Sequence, residues 1–103
     1  MATKTYRINE EELTVRDIAW KMRKEGKLGT RSYYDPATGL KCPEGVLTWG
    51  MRGELAGFYE LVRDFRRLYG LGIYEVNDGF EGSPVERAEY MASLFEKMKE
   101  SNA

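Results

Sequence analysis

Cys42 is the only cysteine in the sequence, and Cys42-Pro43-Glu44 sets it at the predicted start of a helix, where the dipole lowers a thiol pKa. A thiol in that position becomes a catalyst only with a base beside it, and the chain contains no histidine. The same absence removes zinc sites built from Cys and His, and both Ser-His-Asp and Cys-His catalysis. Cys42 therefore reads as a small buried residue, and the sequence predicts no enzyme, no metal and no cofactor. Glu75, Asp78 and Glu81 form a second cluster that could coordinate calcium or act as a carboxylate pair. It lacks the regular Asp/Asn alternation and closing Glu of an EF-hand loop. No glycine-rich phosphate loop is followed by Lys-Ser or Lys-Thr, and Gly70-Leu71-Gly72 is too short for a dinucleotide fingerprint.

Binding chemistry has more material. Lys21, Arg23, Lys24, Lys27 and Arg31, with Tyr33 and Tyr34 close behind, could grip phosphates and stack bases. Their place near the end of a predicted helix also gives them a structural reason, because the dipole favours cations there. Arg63, Arg66 and Arg67 alternate with Glu60 and Asp64, which predicts an exposed, ion-paired helix face rather than a nucleic-acid groove. Aromatic and arginine side chains dominate protein interfaces, and Tyr33, Tyr34, Trp49, Arg52 and Phe80 are the candidates for that role. Tyr33 and Tyr34 are adjacent, so in an extended segment they point to opposite faces and one should be exposed. Phe80, in a predicted turn, is either a plug over the core edge or a second anchor.

These residues need elements to position them. Tyr6 and Ile8 are spaced by two, which predicts a short edge strand or an extended arm over residues 1–12. Val15, Ile18, Ala19 and Met22 recur at helical spacing behind Thr14 and Asp17, a relative of the capping box, so helix one runs from about Thr14 to Glu25. Gly26 and Gly29 stop it. Asp35-Pro36-Ala37-Thr38-Gly39 turns between two extended pieces, giving a hairpin or loop over Thr30 to Lys41. Helix two opens at Pro43 with a stripe of Val46, Leu47, Gly50 and Met51 and Trp49 to one side. Helix three spans about Glu54 to Tyr69 with a wide apolar stripe that includes Tyr59 and Leu68, which suggests a central position. Leu71, Ile73, Tyr74 and Val76 predict a short strand or buried turn, and Asn77-Asp78-Gly79 a tight turn after it. Ser83-Pro84-Val85-Glu86 caps a last helix whose core face is Ala88, Met91, Ala92, Phe95 and Met98, ending near Lys99 with a frayed tail at 100–103.

The sum is a mainly α fold: one small domain over residues 1–103, with about four helices and a short hairpin or extended pair after helix one. Its 103 residues with 42% hydrophobic and 32% charged composition suit a single folded core. A net charge of −1 points to no polyanionic partner. Ten basic and seven acidic residues precede Gly53, and six and ten follow, which allows a dipolar surface. A lone cysteine and a charged first dozen residues without an apolar run predict a cytoplasmic protein that neither enters nor spans a membrane.

Cys42-x-x-Gly45-Val46-Leu47 opening a helix, with Val76-Asn77-Asp78 before a capped last helix, resembles an uncharacterised family of small helical proteins from actinobacteria and their phages. The family pattern has Cys-x-x-Gly-Ala-Leu and Trp-Asn-Asp, so Val76 departs from it. The likeness spans roughly Leu13 to Met98 and carries no established activity. It makes Cys42, Gly45, Asn77 and Asp78 a fold signature: Gly45 admits a neighbouring backbone, Cys42 fills a small space, and Asn77 or Asp78 satisfies amides at a helix start. It also implies a phage or mobile-element origin, and with it a small accessory protein that binds and modulates a host protein. The alternative is a nucleic-acid accessory protein working through Lys21, Arg23, Lys24, Lys27 and Arg31. Neither reading fixes an oligomeric state.

Overall fold

The computed structural model describes residues 4–50 and 55–101. Met51, Arg52 and the expected helix start at Glu54 lie outside them. Within that range the chain runs β1 (Tyr6–Ile8), β2 (Glu11–Leu13), α1 (Val15–Glu25), β3 (Tyr34–Asp35), β4 (Leu40–Lys41), α2 (Pro43–Thr48), α3 (Ala56–Tyr69), α4 (Ile73–Gly79) and α5 (Pro84–Ser101). The fold is mainly α, with five described helices instead of four and two antiparallel hairpins.

Helices α1 and α5 form the centre and share the largest interface among the described elements. Val15, Ile18, Ala19 and Met22 of α1 meet Ala88, Met91, Ala92, Phe95 and Met98 of α5, all of them buried. Both helices begin with reciprocal caps. Asp17 N–H donates to the Thr14 hydroxyl and Thr14 N–H to the Asp17 carboxylate, and Ser83 and Glu86 exchange the same pair of bonds at α5. Gly26, at φ 80°, ends α1. Across the outer edge, the Arg23 guanidinium bonds both Glu89 and Glu96 at 2.8 to 3.2 Å.

Residues 6–13 fold as a hairpin rather than a lone strand or arm. Asn9 and Glu10 both have positive φ, at 52° and 66°, the combination that a two-residue turn between twisted strands requires. The hairpin lies on α3 so closely that a Cβ at Gly57 would sit 1.8 Å from the Arg7 carbonyl oxygen. Below that contact Tyr6, 1% exposed, donates its hydroxyl to Asp64 at 2.6 Å, and Lys4 Nζ lies 2.6 Å from the same oxygen. Asp64 is therefore buried, not part of an exposed charged face. The apolar face of α3 is also narrower than its sequence suggests: Phe58, Leu61 and Phe65 are buried, while Tyr59 and Leu68 are exposed.

Burial alone would raise the Asp64 pKa, but the hydrogen bonds from Lys4 and Tyr6 outweigh it and hold the carboxyl below its ordinary value. A depressed folded-state pKa means the unfolded chain binds more protons on the acid side. The contribution is complete above the unfolded value and fades as pH falls through the folded one. We expect Asp64→Asn to lose about 1 kcal/mol at neutral pH, a figure that allows for the exposure of Lys4. The gap to wild type should close in acid unfolding scans below about pH 4. A gap that persists undiminished at pH 2 would contradict this assignment.

The segment expected as a strand and turn is instead helix α4. Ile73, Val76 and Asn77 follow helical spacing, Ile73 and Asn77 are buried, and the Glu75 carboxylate accepts the Gly72 N–H. Asn77 and Asp78 do not serve a helix start. Asn77 Nδ2 donates to the Gly29 carbonyl at 2.9 Å, and Asp78 Oδ1 accepts the Arg31 N–H at 3.2 Å, so the pair holds the loop after α1. Arg87, also buried, closes the other side by donating to the carbonyls of Asn77, Leu28 and Phe80 at 3.0 to 3.1 Å.

Candidate functional site

The loop held by Asn77 and Asp78 carries Arg31, Tyr33 and Tyr34 to the first turn of α2. There Gly45 is indispensable, because a Cβ at this position would meet the Tyr33 carbonyl oxygen at 2.0 Å. The Tyr33 hydroxyl then donates to the Thr48 carbonyl at 2.9 Å, which lays the side chain along α2. Helix α2 stops at Thr48, so Trp49 and Gly50 lie past its end and Gly50 is not part of a buried stripe. This early stop puts the Trp49 ring against Tyr33.

Three of the interface candidates converge as a result. Tyr33 and Trp49 stack with centroids 5.6 Å apart at 17°, and Tyr34 tilts against Trp49 with centroids 5.1 Å apart. Lys41 Nζ lies 4.5 Å from the Trp49 ring centroid, within cation–π range. The three aromatic residues remain 40 to 46% exposed. Neither tyrosine is buried, contrary to the expectation from their alternation: Tyr33 precedes the two-residue strand β3, and both rings pack on the exposed Trp49. Phe80 is not part of the trio. It is half-buried, with its ring stacked on Tyr90 at 4.6 Å and the Arg87 guanidinium 5.9 Å away.

Beside the trio is a cavity of about 270 Å3. The loop contributes Arg31 and Tyr33, α2 and its cap contribute Cys42 and Glu44, and α4 contributes Tyr74 and Asp78. Cys42 is buried, and that burial pushes its thiol pKa up despite nearby backbone amides. The thiol stays protonated at neutral pH, which is the opposite of an activated nucleophile. The Tyr74 hydroxyl is pushed up as well, first by burial and then by the Glu44 carboxylate. Arg31 holds a left-handed backbone at φ 63°, a conformation that costs a non-glycine residue about 1 kcal/mol and is maintained here by the Asp78 bond.

The basic residues expected to act together are dispersed among other partners. Lys21 pairs with Glu11, Arg23 with Glu89 and Glu96, and Lys24 sits over the Trp20 ring, while Lys27 is exposed past the end of α1. Arg31 belongs to the cavity instead. Glu75 and Asp78 serve separate backbone amides, and among the described residues no group of three or more His, Cys, Asp or Glu could hold a metal. No described helix is long and apolar enough to cross a membrane.

Glu44, Tyr74 and Lys41 also belong to this region, and residue type alone does not mark them as site residues. By sequence Glu44 is a helix-start acid, Tyr74 part of a strand and Lys41 the end of an extended piece. No family model, curated protein or solved structure matches the chain.

Proposed function

We infer that this chain is a small cytoplasmic accessory protein that binds another protein through the surface made by Tyr33, Tyr34 and Trp49. The observation that carries this reading is the packing of two exposed tyrosine rings on the exposed Trp49 ring, on a braced backbone. Tyrosine and tryptophan offer large contact area at little conformational cost, and here the cost is lower still because Tyr33 is already tied to Thr48. The likeness to small actinobacterial and phage proteins extends the reading to a phage or mobile-element product that modulates a host protein. The nucleic-acid alternative is disfavoured because Lys21 and Arg23 would have to give up acidic partners before meeting phosphate.

The test compares two aromatic truncations as baits in affinity capture from the cell that expresses the protein. Trp49→Ala should lower recovery of the retained partner about thirtyfold, the scale of an interface hot spot. Tyr90→Ala removes a comparably exposed aromatic on α5 and should leave recovery unchanged. Equal loss from both baits, or from neither, would contradict the assignment.

A further inference from the structure

The cavity beside the aromatic trio shares Tyr33 with it but differs in chemistry. At about 270 Å3 it lies at the lower edge of the roughly 300–1,000 Å3 of small-molecule sites and has room for one long side chain. Two tyrosines, Tyr33 and Tyr74, and two carboxylates, Glu44 and Asp78, line it, with Arg31 as the opposing charge. Arg31 is exposed, and its link to Asp78 runs through its backbone N–H. Carboxylates outnumber cations two to one in the lining, and Glu44 and Asp78 both act on the Cys42 thiol while Glu44 acts on Tyr74. Asp78 Oδ1 is already engaged by Arg31 N–H and Asn77 Nδ2, which fixes the carboxylate in place.

The geometry points to a receptor for one basic side chain, lysine or arginine, that the partner protein projects between Tyr33 and Tyr74 toward Glu44 and Asp78. The tyrosines cover the alkyl stem and offer their ring faces to the cation, and the carboxylates pair with its head group. This rests on the protein-binding reading above and adds the chemistry of the residue that the partner must supply.

Four probes titrated into isotope-labelled protein and followed by amide NMR shifts test it: the N-acetyl methylamides of lysine, arginine, norleucine and glutamate. The lysine or arginine probe should move resonances at residues 31–33, 42–44 and 74–78 in a saturable way, and the norleucine and glutamate probes should not. Glu44→Gln keeps an acceptor beside Tyr74 and should weaken the basic probe about threefold, as expected for a partly exposed ion pair. Asp78→Asn serves as the second variant if the first does not fold. Equal or stronger shifts with norleucine would make the cavity merely apolar, and a response to glutamate would make Arg31 its active group. Either result overturns the proposal, as does silence from all four probes. Trp49→Ala separates the two readings. If it abolishes partner capture while the basic probes stay silent, only the cavity proposal fails. If the basic probes bind and capture ignores Trp49, the docking face fails instead.

Discussion

Arg87→Ala is expected to lower the melting temperature by more than about ten degrees, the scale set by three lost hydrogen bonds in a domain of this size. The guanidinium belongs to a residue only 9% exposed and donates to three main-chain carbonyls, those of Asn77, Leu28 and Phe80. Two of the three lie at the carboxyl end of α4, where a cation also meets the negative pole of the helix. Removing the side chain leaves all three acceptors short of a partner, at about 1 kcal/mol each, or about 3 kcal/mol together. In a domain of this size 1 kcal/mol is worth about 4–8 °C. Arg87→Lys keeps the charge but replaces a planar fork with a single point, so it should recover only part of the loss. A thermal scan in which Arg87→Ala melts within about 2 °C of wild type would show that α4 is held by other contacts.

Gly45→Ala should be nearly as damaging, and its damage falls on the site. In a helix, alanine is intrinsically favoured over glycine by about 1 kcal/mol. Here that gain is outweighed, because the new Cβ would lie 2.0 Å from the Tyr33 carbonyl oxygen and 3.0 Å from Lys41 Cβ. The oxygen belongs to the backbone, so the relief is a shift of the whole loop away from α2. We expect a net loss of about 2 kcal/mol, in the range of overpacked cores. The Tyr33–Thr48 bond and the Tyr33–Trp49 stack should go with it, and partner capture should fall even under conditions where the variant is folded. Gly57→Ala is the matched control: its Cβ would strike the Arg7 carbonyl at 1.8 Å, separating the first hairpin from α3 and reaching the trio only through the 3.3 Å bond from Asn9 Nδ2 to the Trp49 carbonyl. Capture retained by folded Gly45→Ala would detach the loop geometry from binding.

Helices α1 and α5 are legible in the sequence because each has three or more turns of apolar spacing behind a reciprocal cap, and both features are local. Helix α4 is not. Its seven residues are too few to display a period, and Asn77-Asp78-Gly79 has the chemistry of a turn. What makes it helical is distant: Arg87 holds its last carbonyls and Gly29 receives its asparagine. The first hairpin is hidden because Asn9-Glu10 lacks the glycine that usually marks such a turn. Asp64 has the pattern of one more surface acid, and only the fold brings Tyr6, 58 positions earlier, against it.

The candidate site shows the same division. Tyr33, Tyr34 and Trp49 can be named from residue type, and Cys42, Gly45 and Asp78 from the motif they form. Their convergence cannot, since it depends on a glycine contact between segments and on where α2 stops. Phe80 illustrates the converse: the same kind of residue, in a loop, stacks on Tyr90 in place of joining the trio. Glu44 and Tyr74 become cavity walls only once α2 and α4 are set side by side.

Whether the aromatic face binds a protein is tested most directly by affinity capture across a salt series, run in parallel with and without nuclease treatment. Wild-type bait should retain a discrete protein from about 50 to 200 mM salt, a range over which multi-phosphate contacts weaken by orders of magnitude. Trp49→Ala bait should lose it, and bait carrying Lys24→Ala with Lys27→Ala should keep it. Recovery of nucleic acid alone, lost as salt rises and abolished by the two lysine substitutions, would contradict protein binding and return the function to the end of α1.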